Sequence, residues 1–311
     1  MTSVKRELRI VALRTLKAVG VFAAARLLTR NEARVLCYHG FSYRDEHGFA
    51  PQLFMLPSTF QQRLDQIAAY GFNVVPLREL TRRLQAKESL TNVLALTVDD
   101  GWTGFARFAL PELQKRNWPV TLYLTTYYAT KGRPVLNVLR RYLSWKGVSL
   151  PVPAKDDQQE HDGLLHAASA AGVDLKCKDG GLFELSSPDD VAKLCANGLD
   201  LQLHTHRHRL PAEDALLTDE IDTNRRIIEG LSGRPANHLC YPSGEYSRSQ
   251  FPLLKKLGVQ SATTTHLELV NHQCDSLELP RLLDGENLHP VELDAELSGF
   301  SSLVRRIRRR G

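Results

Sequence analysis

The chain has 311 residues, 42% of them apolar, and a formal net charge of +5 at pH 7. This length and apolar content suit a soluble protein with one large domain, or two small ones, and a sizeable core. Its five cysteines are odd in number and show no CxxC spacing. The pattern argues against a disulfide framework and favours free thiols in a reducing compartment.

The charge is unevenly distributed along the chain. Residues 1–30 carry +6 and the tail 299–311 carries +5, so the body between them carries −6. Basic ends on an acidic body favour contact with an anionic surface. We therefore predict a cytoplasmic protein that makes peripheral contact with the inner face of a bacterial membrane and has no nucleic-acid partner.

Residues 1–30 predict a basic helical segment. Its longest uncharged run, residues 18–25, is far shorter than the roughly 20 apolar residues that a spanning helix needs. One interpretation is a partly amphipathic helix that lies on a membrane. The other is a helix that packs on the body with its basic face in water.

Short apolar runs alternate with helical patterns through the body, residues 31–298. The predicted strands are 34–38, 73–76, 93–98, 120–125, 199–204, 238–241, 259–264 and 277–283. The helical patterns lie near 58–67, 77–84, 111–116, 187–196, 219–231 and 249–257. This alternation predicts a parallel sheet, closed or open, in a single domain.

The stretch from about residue 146 to 181 breaks the alternation. It is polar and contains two Gly-rich turns. We interpret it as an insertion that covers or extends a functional site, with a solvated loop as the alternative. After the body, residues 299–311 are predicted to form a basic tail.

Two motifs follow predicted strands: Thr-Val-Asp-Asp-Gly at 97–101 and His-Thr-His-Arg-His at 204–208. The carboxyl ends of strands are where α/β sheets and barrels place their chemistry. Taken alone, Asp-Asp-Gly is most often a turn, and a HxxxH pair also arises by chance.

Together, the two motifs predict a metal site with a spare base. Neighbouring carboxylates on an extended chain point to opposite sides, so one can bind an ion while the other stays free. Two imidazoles and one carboxylate leave positions open for water and substrate, which is typical of a catalytic metal.

These motifs resemble those of the polysaccharide deacetylases, carbohydrate esterase family four (NodB homology). The first resembles the family's Thr-Phe-Asp-Asp-Gly, the second matches its His-Ser/Thr-x-x-His, and Leu-Cys-Tyr-Pro-Ser-Gly at 239–244 resembles its third motif. The three occur in the family's order, and the resemblance covers roughly residues 34–284. It implies an α/β fold: a distorted (β/α)7-type barrel of the NodB-homology kind.

The resemblance also implies roles for single residues. Asp99 would be the general base. Asp100, His204 and His208 would bind a divalent metal, with zinc as the ion and cobalt or nickel as alternatives. The backbone N–H of Ser243 would help to hold the oxyanion.

The chain departs from the family's pattern at two places. Many members carry an arginine in the third motif that orients the base, and here Cys240 stands there. Arg281, in the last predicted strand, either replaces that arginine or forms a surface ion pair. No Leu-x-His motif follows residue 284, yet Leu-Cys-Tyr-His at 36–39 is similar to it, with one more residue between Leu and His. The arrangement is similar to the circularly permuted branch that includes poly-N-acetylglucosamine deacetylases. It implies His39 as the catalytic acid, with a core histidine satisfied by backbone as the alternative.

Three other side chains receive weaker predictions. Trp102 and Tyr241 are expected to contact the sugar, because aromatic faces stack on the apolar side of a pyranose, with core packing as the ordinary alternative. His206 occupies a variable position of the motif and is expected to lie beside the site or on the surface.

The resemblance predicts a metal-dependent hydrolase that removes the N-acetyl group from an acetamido sugar in a glycan or glycan precursor, as in surface polysaccharide biosynthesis. A deformylase or an O-acyl esterase acting on a related sugar is an alternative that the motifs do not distinguish. A catalytically silent glycan-binding relative is disfavoured by Asp99, which metal binding does not need. A basic membrane-surface adaptor would account for the two termini but not for the site.

Overall fold

A parallel β-sheet that curls into a barrel forms the centre of the molecule. The computed structural model describes residues 3–177 and 180–310. In chain order, the strands are β1 (Arg34–Tyr38), β2 (Gly40–Phe41), β3 (Phe54–Met55), β4 (Asn73–Val74), β5 (Val93–Asp100), β6 (Thr121–Leu124), β7 (Lys176–Cys177), β8 (Gly180–Gly181), β9 (Asp200–Leu203), β10 (His238–Cys240), β11 (Ser261–Thr263) and β12 (Leu282–Leu283).

The strands of the barrel are parallel and follow the order β11, β10, β9, β6, β5, β1, β12, with β4 paired to the start of β5. Backbone hydrogen bonds of 2.9 Å join Leu279 to Ala262 and to Thr264, so the segment before β12 also contacts β11 and the two edges of the sheet meet. Every residue of β1 and β5 is buried, as expected for parallel strands covered on both faces. Each of the eight predicted strands contributes to this sheet, and the distorted barrel is confirmed.

Helices pack around the barrel. In chain order they are α1 (Ser3–Ala18), α2 (Val21–Leu28), α3 (Glu46–Phe49), α4 (Pro57–Ala69), α5 (Leu77–Gln85), α6 (Leu110–Lys115), α7 (Thr126–Lys131), α8 (Leu136–Trp145), α9 (Asp157–Ala170), α10 (Pro188–Ala196), α11 (Asp214–Ser232), α12 (Phe251–Lys256), α13 (Pro290–Leu297) and α14 (Phe300–Arg310). Those that lie where helical patterns are predicted are α4, α5, α6, α10, α11 and α12.

The helices at the two ends of the chain pack against the body and against each other. Leu13 of α1 and Phe22 of α2 share an apolar cluster with Val291 and Ala295 of α13. The ring of Phe22 also stacks on Phe300 of α14, with centroids 5.2 Å apart. One side of the basic N-terminal segment is therefore packed on the domain, and the predicted tail is a helix over its described residues.

Acidic groups of the body bind several of the basic residues at the ends. Lys17 pairs with Asp294 at 2.6 Å. Arg306 pairs with Glu32 at 2.8 Å and with Glu268 at 3.0 Å. The opposite charges of the body and the ends are thus partly neutralised within the molecule. No helix among the described residues has both the length and the apolar character needed to cross a membrane.

The predicted insertion contains a helix, α9, rather than a solvated loop alone. The carboxylate of Asp156 accepts hydrogen bonds from two backbone N–H groups in the first turn of α9, which is a typical N-cap. Arg140 of α8 pairs with Glu160 of α9 at 2.6 Å. The stretch is therefore folded against α8, and residues 178 and 179 lie outside the described part of the chain.

A buried ion pair links α4 to the segment after β12. Nε of Arg63 lies 3.2 Å from Oδ1 of Asp284, and both side chains are almost fully buried. Burial outweighs the attraction of Arg63 and raises the pKa of Asp284 to about 6. Arg63→Met would leave the charge of Asp284 buried without a partner or water. We therefore expect it to lower the free energy of unfolding by about 3–5 kcal/mol in urea denaturation.

Arg82→Met is the matched control for this substitution. Arg82 pairs with Glu79 and Glu88 at the surface, where its side chain is 52% exposed. We expect its replacement to lower the free energy of unfolding far less than Arg63→Met does, because water solvates Glu79 and Glu88 once Arg82 is removed. Equal losses for the two variants would show that the Arg63–Asp284 pair does not stabilise the barrel.

Candidate active site

The first motif lies at the carboxyl end of β5. Asp99 and Asp100 are the last two residues of this strand, and Asp100 has a left-handed backbone conformation with φ of 72°. Gly101 continues the turn with φ of 102°, and a Cβ there would lie 2.3 Å from Cδ1 of Leu124. Glycine is favoured here because the positive φ strains other residues and because a Cβ would push aside the end of the Leu124 side chain. The turn gives the two carboxylates different neighbours.

The second motif follows β9 and folds back on itself. Thr205 and His208 have positive φ values of 61° and 54°, which are uncommon for residues with a side chain. The turn brings the ring of His208 to that of His204, with centroids 4.8 Å apart. The i and i+4 histidines therefore converge at the end of the strand.

Asp100, His204 and His208 form a candidate metal centre. Oδ1 of Asp100 lies 3.3 Å from Nε2 of His204 and 3.4 Å from Nε2 of His208. One donor atom of each residue lies within 4.8 Å of the other two. Imidazole nitrogens with a carboxylate oxygen suit zinc and similar divalent ions, and three protein ligands leave coordination positions open.

Hydrogen bonds from outside the cluster orient two of these side chains. Nδ1 of His204 lies 2.9 Å from the carbonyl oxygen of Cys240. Because a carbonyl oxygen only accepts, Nδ1 donates and Nε2 is directed towards Asp100. Nε1 of Trp102 donates to Oδ2 of Asp100 at 2.8 Å. Such support of the ligands is typical of metal sites and strengthens the fit to an ion.

Asp99 forms a buried, two-point ion pair with Arg281. Nη1 and Nη2 of Arg281 each lie 2.7 Å from a carboxylate oxygen of Asp99. Arg281 is 1% exposed and also donates to the carbonyl of Thr264 at 3.0 Å and to Oγ1 of Thr97 at 3.1 Å. Arg281 therefore lies against Asp99 and is not part of a surface ion pair.

The pKa of Asp99 lies well below its usual range. Burial by itself raises this pKa, but the charge of Arg281, its hydrogen bonds and the nearby His39 and His204 outweigh burial. Asp99 is therefore ionised at neutral pH although it is buried.

His39 follows β1 and faces Asp99. Its Nε2 lies 3.7 Å from Oδ2 of Asp99, and its side chain is one-fifth exposed. Nδ1 is buried and has no hydrogen-bond partner among the described residues. His39 thus differs from a core histidine satisfied by backbone, and its imidazole is open to the site.

All nine predicted site residues line one cavity of about 340 Å³: His39, Asp99, Asp100, Trp102, His204, His208, Tyr241, Ser243 and Arg281. Ser243 has a positive φ of 57°, in the turn that follows β10. His206 lies beside the cluster, with Nδ1 2.9 Å from Oγ1 of Thr126. The sequence therefore identifies the floor of the cavity.

The two predicted sugar contacts are largely buried. The hydroxyl of Tyr241 donates to the carbonyl of Leu277 at 3.0 Å, and its ring stacks on Tyr246 with centroids 4.6 Å apart. Trp102 is 5% exposed, and its N–H is bound to Asp100. Each ring offers little free surface to a sugar and instead holds neighbouring groups in place.

Two thiols that the motifs do not point to contact the carboxylate of Asp99. Sγ of Cys37 and Sγ of Cys240 lie 3.5 Å and 3.3 Å from the same oxygen, Oδ2 of Asp99. Burial raises the pKa of the Cys37 thiol, so it stays protonated and donates. A period-two pattern could have indicated this contact, because Cys37 and His39 share one face of β1 and its extension.

One wall of the cavity was also not predicted. Asn137, Val138 and Arg141 of α8 line it, whereas no described residue from 146 to 181 does. The wall therefore lies before the predicted insertion. The helical pattern of α8 carries no motif that would mark it as part of a site.

A parallel barrel with an ionised carboxylate beside a His–His–Asp cluster defines a hydrolytic centre. The sequence profile of the polysaccharide deacetylase family matches residues 86–262, more than half of the chain. The chain therefore belongs to this family, carbohydrate esterase family four with NodB homology, and is an enzyme that deacetylates a glycan.

Solved structures of deacetylases share the fold. The Streptococcus pyogenes deacetylase PplD in complex with acetate is 18% identical, with a TM-score of 0.62 over 86% of this chain and 98% of that chain. IcaB from Ammonifex degensii is 18% identical, with a TM-score of 0.62 over 86% and 97%. A de-N-acetylase from Aggregatibacter actinomycetemcomitans is 14% identical, with a TM-score of 0.59 over 85% and 99%. No curated protein matches the chain.

Proposed function

We propose that the protein is a metal-dependent N-deacetylase that hydrolyses the acetamido group of a sugar in a glycan or glycan precursor and releases acetate. One observation carries this proposal: Asp99 is held ionised by Arg281 next to the donor atoms of Asp100, His204 and His208. A protein that only bound a glycan through a metal would need Asp100, His204 and His208. It would not need Asp99, a second carboxylate with its own arginine partner.

The metal in this proposal is zinc, with cobalt or nickel as alternatives. Asp100, His204 and His208 would hold it. A divalent ion at such a site lowers the pKa of bound water and polarises an acyl oxygen. Side chains and a backbone N–H group of the protein would carry out the proton transfers and hold the oxyanion.

Asp99 is the proposed general base. It takes a proton from the attacking water as the oxygen of this water bonds to the acetyl carbon. Arg281 and the thiols of Cys37 and Cys240 keep its carboxylate in place at the lining of the cavity. The backbone N–H of Ser243 is the proposed donor to the oxyanion that forms.

His39 is the proposed general acid. As the C–N bond breaks, the sugar nitrogen takes the proton of His39 and leaves as an amine, with acetate as the other product. β1, which precedes His39, lies between β5 and β12 in the barrel. This position supports our proposal that β1 takes the place of the family's last strand, as in the circularly permuted branch.

Replacing His39 should affect substrates according to their leaving group. We expect His39→Gln to slow deacetylation of an acetamido sugar by about 10²–10⁴-fold, because the amine cannot leave unprotonated. A nitrophenyl acetate needs no such proton and should be cleaved at nearly the wild-type rate. Both rates would be measured on one preparation, with His206→Gln as the control. Equal loss on the two substrates would rule out the acid role.

The central experiment tests the reaction and the metal together. Protein stripped with a chelator is reloaded with zinc, cobalt, nickel or nothing, and is offered acetamido sugars as monosaccharides, oligosaccharides, and nucleotide- or lipid-linked forms. We expect acetate and free amine in equal amounts, and only with metal. Matched N-formyl and O-acetyl sugars test the deformylase and esterase alternatives. Preferential cleavage of either would replace the acetamide proposal.

We also propose a cytoplasmic location. All five cysteines are free in the structure, and Cys37 and Cys240 contribute thiols to the site as hydrogen-bond donors. An oxidising compartment would favour oxidation of these thiols, which would remove the two donors. Protein isolated under alkylating conditions should therefore have five labelled thiols, and recovery of an internal disulfide would contradict this location.

A further inference from the structure

Helix α1 has a second apolar face that no described part of the chain covers. Its inner face contributes Ile10, Leu13 and Leu16 to the cluster with α13. On the opposite side, Val4, Leu8 and Val11 are 64%, 64% and 58% exposed. Their spacing of four and three residues places them in one stripe along the helix.

The exposed apolar character continues on the neighbouring helices. Among the described residues, twelve large apolar side chains are exposed, and seven of them belong to α1, α2, α14 or the turn between the first two. Besides the stripe, these are Val19, Leu27, Leu28 and Ile307, which are 68–76% exposed. Concentrated exposure of this kind marks an interaction surface rather than ordinary surface composition.

Exposed basic residues belong to the same helices or directly follow them. Lys5, Arg30 and Arg308 are exposed, and none has an acidic partner within residues 3–177 and 180–310. The only acidic residue in the first thirty is Glu7. The surface therefore combines uncovered apolar groups with uncompensated positive charge.

We propose that α1, α2 and α14 form a docking face for an anionic lipid bilayer. The exposed apolar side chains would enter the boundary between headgroups and acyl chains, and the basic residues would contact anionic headgroups. A second copy of the chain is a poorer occupant, because a symmetric contact would bring two basic surfaces together. This docking face goes beyond the deacetylase function and uses none of its residues.

The docking face leaves the catalytic cavity uncovered. Arg34, the first residue of β1, donates to the carbonyls of Thr29, after α2, and Leu297, before α14, at 2.9 Å and 3.0 Å. α2 and α14 therefore lie near the amino end of β1. The candidate site lies at the carboxyl ends of the strands, so membrane contact and access to the cavity do not compete.

Flotation with lipid vesicles tests this proposal on the full chain. We expect the protein to bind phosphatidylcholine vesicles that contain phosphatidylglycerol, to bind pure phosphatidylcholine far less, and to be released by salt. Leu8→Asn combined with Leu28→Asn should weaken binding by about tenfold or more, since two apolar anchors are lost. Lys5→Gln and Arg308→Gln should each weaken it by about fivefold.

Two substitutions elsewhere on the surface are the controls. Val152 is 88% exposed, so Val152→Asn matches the apolar changes, and Lys155→Gln matches the charge changes. Both should bind vesicles like the wild type, and every variant should release acetate from a water-soluble substrate at the wild-type rate. Equal binding to both vesicle types would overturn the proposal. So would unchanged binding of the Leu8/Leu28 variant, or concentration-dependent dimers that this variant abolishes.

Discussion

Asp99→Asn is expected to slow acetate release by about 10²–10⁴-fold while the bound metal stays at its wild-type level. The amide has the shape of the carboxylate but cannot take a proton from water, and general base catalysis typically contributes this much. The cluster of Asp100, His204 and His208 is untouched by the change. A low rate with full metal content would therefore show that Asp99 acts in the reaction and not as a metal ligand.

The same substitution leaves Arg281 buried without its counter-charge, which is expected to cost about 3–5 kcal/mol of stability. Thermal unfolding must therefore confirm that the variant is folded at the assay temperature. Asp200→Asn is the matched control, because Asp200 is a buried aspartate at the start of β9 that binds Thr121 and does not line the cavity. A turnover rate of Asp99→Asn close to that of this control would remove Asp99 from the mechanism.

Loss of a proposed metal ligand should lower the metal content as well as the rate, whereas Asp99→Asn should lower the rate alone. Asp100→Ala and His204→Ala are each expected to weaken zinc binding by more than about 100-fold, since even the groups that support ligands contribute 10–100-fold. Activity should fall with metal occupancy and recover in part at high zinc. Calorimetric titration of chelator-treated protein measures the affinity directly.

His206→Ala provides the control within the same motif. Its Nδ1 is engaged by Thr126 and its ring packs against Tyr127, so metal affinity should stay within a few-fold of the wild type. If His206→Ala lost zinc as strongly as His204→Ala, the proposed ligand set would need to change. If none of the variants altered zinc binding, the metal proposal itself would fail.

The sequence predicts the barrel correctly, and the site residues that it indicates line one cavity, because both depend on local patterns. Strands buried on both faces appear as short apolar runs, and all eight such runs form strands of the sheet. The Asp-Asp-Gly and histidine motifs lie at strand ends, and parallel strands bring those ends together. His39 is found for the same reason, since it directly follows β1.

Other parts of the site depend on packing that no local pattern encodes. From the sequence alone, Arg281 could form either a surface ion pair or a contact with Asp99. In the folded barrel it is buried. The thiols of Cys37 and Cys240 meet at one oxygen of Asp99 from strands that are not neighbours in the sheet. Likewise, α8 lines the cavity because of where the chain places it, and its residues carry no recognisable motif.

The closing strand of the barrel has a consequence for when the enzyme becomes competent. Arg281 directly precedes β12, which joins β1 through residues near the C-terminal end of the domain. Until that strand docks, Asp99 lacks the arginine whose charge and hydrogen bonds lower its pKa against the effect of burial. The ion pair that keeps Asp99, the proposed general base, ionised is thus completed only as the sheet closes. We therefore expect a partly opened barrel to carry the motifs without the activity.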